Sequence, residues 1–74
     1  MWQDEITFDE KILTGKPIIK GTRISVDFII DLVANDWSFD KIIENYPQIN
    51  KEDIQACLEY ASTVIKSEKV LPCR

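Results

Sequence analysis

Histidine is absent from these 74 residues, glycine and cysteine occur twice each, and methionine once. Without an imidazole the chain has no histidine general base, no histidine metal ligand and no triad of the Ser-His-Asp kind. Cys57 and Cys73 lie 16 positions apart with no other soft ligand to join them. That pattern is wrong for a zinc site, and two cysteines allow one disulfide at most. No apolar run approaches the ~20 residues a bilayer span needs. Trp2 is followed by Gln3, Asp4 and Glu5, where a signal peptide would carry its apolar core. These absences predict a cytoplasmic protein with reduced thiols, no membrane association, no cofactor and no enzymatic activity. They also leave the chain without a covalent or metal staple. A core of this size contributes only ~3–5 kcal/mol, so a homodimer or a docked partner is expected.

What is present is segregated. Net charge is −4, but residues 1–10 carry Asp4, Glu5, Asp9 and Glu10 with no cation, and residues 11–26 carry Lys11, Lys16, Lys20 and Arg23 with no acid. From residue 27 onward acids outnumber bases nine to five. Overall acidity argues against a nonspecific nucleic-acid coat, while a local basic patch remains compatible with a directed phosphate contact. It is equally compatible with internal ion pairing.

Three segments repeat the helical period. Val26, Ile29, Ile30 and Val33 form one stripe, Phe39, Ile42, Ile43 and Tyr46 a second, and Ile54, Cys57, Leu58, Ala61 and Ile65 a third. Each predicts a helix facing a shared core, with Cys57 inside it. Ser25, Ser38 and Asn50 stand where N-caps belong. The apolar pairs Ile24 with Ile29, Trp37 with Ile42, and Ile49 with Ile54 are spaced as hydrophobic staples. Asp27, Asp40 and Asp53 place negative charge in each first turn, as the helix dipole favours. Pro47 ends the second helix. Asn35-Asp36 ends the first without glycine, which predicts a left-handed residue of the type Asn and Asp tolerate. Upstream, Glu5 to Phe8 and Lys16 to Lys20 read as short extended segments, neither long enough to make a sheet core. The expected fold is mainly α: a single domain over 1–74, with extended segments and turns over 1–24, a three-helix, helix-turn-helix-like body over 25–68 and a tail over 69–74.

Both glycines fall in GKPIIKGTRI, residues 15–24, together with three of the nine cations. A P-loop requires its glycines before the lysine and a helix directly after it; here the order is reversed. Gly15 and Gly21 instead read as turn residues needing positive φ. Lys20-Gly21-Thr22-Arg23 runs into the capped helix, whose free amides favour an anion. That anion is either internal, Asp27 or Asp31, or a nucleic-acid phosphate, and internal pairing of Arg23 is the favoured reading. The second and third helices also have helix-turn-helix proportions. On the helix that would read DNA, Asn50, Lys51 and Gln55 suit base edges, whereas Glu52 and Asp53 repel phosphate. The candidate DNA-binding set is therefore Lys16, Lys20, Thr22, Arg23, Asn50, Lys51 and Gln55.

The stretches ITFD, GKPIIKGTRISV and WSFDKIIENYPQINKEDIQACLEYA, from Ile6 to Ala61, resemble the domain of unknown function family number 433. The combination of GKP, GTR and YP followed by EDI is specific to it. Two positions depart from that pattern: the family usually has glycine at Asp36 and often proline at Glu10. The resemblance implies a homeodomain-like or winged-helix-like module regarded as an antitoxin of the VapB-like kind. It further implies a PIN-like ribonuclease toxin as partner and operator DNA as a second one. An acidic chain without catalytic groups suits the covering of a basic ribonuclease cleft, and Val70-Leu71 are candidate toxin contacts. Two alternatives stay open: a DNA-binding repressor without a toxin, and a small helical protein-interaction module.

Overall fold

In the computed structural model, which describes residues 2–11 and 15–67, the chain begins with a short 3-10 helix, Trp2–Asp4, closed by Glu5 N–H donating to the Trp2 carbonyl. Strands β1 (Ile6–Phe8) and β2 (Pro17–Ile19) pair antiparallel, with Ile6 opposite Ile19 and Phe8 opposite Pro17. Three helices follow: α1 (Val26–Ala34), α2 (Phe39–Asn45) and α3 (Lys51–Ser67). The protein is mainly helical, as expected.

Each helix starts where its cap predicts. The Ser25 hydroxyl accepts from Phe28 N–H at 3.1 Å and that of Ser38 from Lys41 N–H at 3.1 Å. At α3 the cap is reciprocal: Asn50 Oδ1 accepts from Asp53 N–H at 2.9 Å, and the Asp53 carboxylate accepts from Asn50 N–H at 3.0 Å. Two otherwise orphaned amides are thereby satisfied by one another's side chains. At the end of α1, Asp36 takes the left-handed conformation with φ 73°. Its N–H donates to the Val33 carbonyl and that of Trp37 to Leu32, both at 3.0 Å. This is the helix-ending arrangement that glycine usually supplies.

The core comprises Val26, Ile29, Ile42, Ile49, Ile54, Ala56 and Cys57, with Ile6 and Ile19 from the strands. The strands therefore contribute more than the sequence suggests. Three residues each are too few to form a sheet core alone, yet pairing lets one face seal the helical body. Ile18 is also buried, and its bridge to Ser25 draws β2 against the start of α1. Two details of the α3 stripe differ from expectation. Ala56 is core, whereas Ile65 is 58% exposed. The Trp2–Asp4 turn, α1, β1 and α2 all rest against α3, so its buried face widens where they crowd it. Aromatic edges tie the layers together: Trp2 meets Tyr60 at 4.9 Å, and Phe28 of α1 meets Tyr46 at 5.5 Å.

Candidate functional site

The basic stretch folds into a braced turn. Thr22 N–H donates to the Ile19 carbonyl at 2.9 Å, and Gly21 holds φ 82°, the geometry a type II turn asks of its third residue. The Thr22 hydroxyl donates to the same carbonyl at 2.8 Å and accepts from Ile24 N–H at 3.0 Å. Thr22 is thus committed to holding the turn. Gly15 likewise has φ 81°, so both glycines are turn residues as read.

The favoured pairing of Arg23 does not form. Among the described residues the ion pair at Asp27 is made by Lys16, at 3.7 Å between exposed side chains. The Ile18–Ser25 bridge explains the substitution, because it sets the head of β2 alongside the first turn of α1. The Ser25 hydroxyl also donates to the Asp27 carboxylate. That hydrogen bond, with Lys16 and backbone amides adding to it against a small burial cost, holds the Asp27 carboxyl below its ordinary range. Cys57 behaves oppositely: burial, reinforced by Asp53, pushes its thiol up to about 12.

The candidate DNA-binding residues fall on two elements, the β2–α1 segment and the start of α3. Lys20 and Arg23 are exposed on the turn. Asn50 has its side chain in the α3 cap, leaving Lys51 and Gln55 exposed beside it. The hairpin meets α3 through Phe8, whose ring centroid lies 6.0 Å from that of Tyr60. Val70 and Leu71 lie outside the described residues.

Sequence reasoning missed an apolar groove of about 230 Å³ between α1 and α3. Val26 and Ile30 of α1 line it together with Tyr60, Ala61, Val64 and Ile65 of α3, and Pro17 and Asp27 complete the lining. A signal for it was present. Tyr60 and Val64 extend the apolar content of α3 beyond one core stripe, and surplus apolar residues on a helix need a second surface. Asp31 stands one turn beyond Asp27 on α1, which carries no cation, so an acidic edge follows the α1 wall.

A hairpin sealing a three-helix body defines a small helical module. The family model described as "Protein of unknown function (DUF433)" matches residues 6–61, and the chain belongs to that family. An uncharacterized protein of Sinorhizobium fredii is 32% identical over 56 residues, 76% of this chain. This chain spans only 25% of that relative's length. The crystal structure of a DUF433 member from Anabaena variabilis superposes with a TM-score of 0.79 at 23% identity, covering 88% of this chain and 64% of that one. It establishes the fold.

Proposed function

We propose that the protein works in the cytoplasm by binding another protein, in the antitoxin manner its family resemblance implies, with a PIN-like ribonuclease as the partner. The observation that carries this reading is the apolar groove between α1 and α3, with Asp27 in its lining and Asp31 one turn further along α1, on a chain of net charge −4. An apolar groove with an acidic margin suits an amphipathic, cationic helix, and a ribonuclease must expose cationic surface to hold RNA. The chain performs no chemistry itself. Two copies associate, compensating for the small core of each; sedimentation at micromolar concentration checks this, and a monomer mass is the contrary result.

The test looks for a PIN-like ribonuclease encoded beside this gene and uses that enzyme; a neighbourhood without one counts against the reading. Stoichiometric addition of the protein should suppress RNA cleavage, and Ile65→Glu should weaken the effect. Because Ile65 is already solvent-exposed, the variant should keep its fold. A wild-type chain that neither binds nor inhibits that ribonuclease removes the antitoxin reading.

A second reading, binding of operator DNA, is favoured by the exposure of Lys51 and Gln55 at the start of α3 and of Lys20 and Arg23 on the turn. Phosphate contacts make affinity fall steeply with salt. Lys51→Glu should abolish operator retention, and equal retention by that variant excludes α3 as the reading helix.

A further inference from the structure

A second groove, of about 430 Å³, opens between the hairpin strands and the braced turn. Its volume lies within the range typical of small-molecule sites. Phe8 lines it with 53% of its surface exposed, while its ring centroid lies 6.0 Å from that of Tyr60 with the planes tilted by 59°. Arg23 lines it too, exposed and paired with no described acid. The third chemical group is Asp9, one of whose oxygens accepts from Lys11 N–H at 2.9 Å. The wall at Gly21 is open, with nothing within 4 Å of the position a Cβ would take.

These groups select a ligand by elimination. A bare phosphate or an acidic peptide would satisfy Arg23 but leave Phe8 without a stacking partner and Asp9 without a donor. A purely apolar ligand would leave both charges unused. A nucleotide unit answers to all three: a base stacks on an open aromatic face, a phosphate takes the planar guanidinium, and sugar hydroxyls donate to a carboxylate. We propose that this groove binds a ribonucleotide unit, either free or as an unpaired residue of RNA, with the base on Phe8, the phosphate on Arg23 and a ribose hydroxyl on Asp9. The site does not depend on the protein-binding reading, since it shares no residue with the groove between α1 and α3.

Titration of the whole chain with AMP, UMP, dAMP and a short unstructured oligoribonucleotide, followed by amide chemical shifts, tests the proposal. Shifts should centre on Phe8, Gly21 and Arg23. Phe8→Ala should weaken binding about fivefold or more, while Phe8→Trp should preserve it. Asp9→Asn should erase the preference for AMP over dAMP. Saturation by mononucleotides identifies a free nucleotide as the ligand; a response to the oligoribonucleotide alone identifies RNA. Silence toward all four at millimolar concentration, or shifts confined to the start of α3, overturns the proposal.

Discussion

Replacing Asn50 with alanine separates two roles that the residue type allows, and the structure commits to one. Asn50 Oδ1 holds Asp53 N–H at 2.9 Å, and the Asp53 carboxylate returns a bond to Asn50 N–H at 3.0 Å. Alanine at 50 removes the first bond and keeps the second, because the second uses only the backbone of residue 50. Loss of an N-cap side chain costs ~1 kcal/mol, within a range of about 0.5–2. For a domain of this size each kcal/mol lowers the melting temperature by ~4–8 °C, so a drop of that order is expected in far-UV circular dichroism. Asn50→Asp and Asn50→Ser should restore most of it, since both retain an acceptor at the cap. Lys51→Ala, one residue on and exposed, should stay within ~0.5 kcal/mol of the parent. A melting temperature unmoved by Asn50→Ala, together with lost binding to nucleic acid, refutes the capping argument and returns Asn50 to the recognition surface.

Ile54 is fully buried, and Ile54→Ala should cost ~2–5 kcal/mol. Against the ~3–5 kcal/mol a core this small supplies, urea titration should show a largely unfolded variant; a small shift in midpoint contradicts the packing. Cys57, buried with its thiol pushed up to about 12, should resist maleimide at neutral pH in a Cys73→Ser background and react only as fast as the chain unfolds. Asp27 is held below its ordinary value of 3.8 chiefly by the Ser25 hydroxyl. Its contribution is therefore present above that value and lost as pH falls through the lower folded one. The stability difference between the parent and Asp27→Asn should accordingly shrink toward zero as pH falls below that range, and a gap that widens in acid reverses the assigned sign.

Local chemistry made the helices readable. Ser25, Ser38 and Asn50 are unambiguous because an N-cap is a contact within four residues, and a left-handed residue at Asn35-Asp36 followed from a helix ending without glycine, with the structure choosing Asp36. What escaped were contacts set at longer range. Lys16 and Asp27 are 11 positions apart, and nothing in a charge count says that Lys16 rather than Arg23 reaches that carboxylate. The Ile18–Ser25 bridge decides it. The strand pairing escaped for the same reason, since a three-residue extended segment carries almost no periodicity and gains its meaning from Ile6 and Ile19 meeting across the hairpin. On α3, one apolar stripe was visible, but the allocation of Ala56 to the interior and Ile65 to the surface depends on which neighbours stop short of the helix end. Of the candidate nucleic-acid residues, Thr22 and Asn50 turned out to serve the backbone. Both belong to types whose short polar side chains bind local amides as readily as a ligand.

Because the N-terminal turn, β1, α1 and α2 all lean on α3, the strut is synthesised after everything it supports. A chain leaving the ribosome at ~5–20 residues per second holds its hairpin and first two helices half-assembled for the one to a few seconds that residues 51–67 take to follow. Through that interval the isoleucines destined for the interior stay open to the cell's chaperones and proteases.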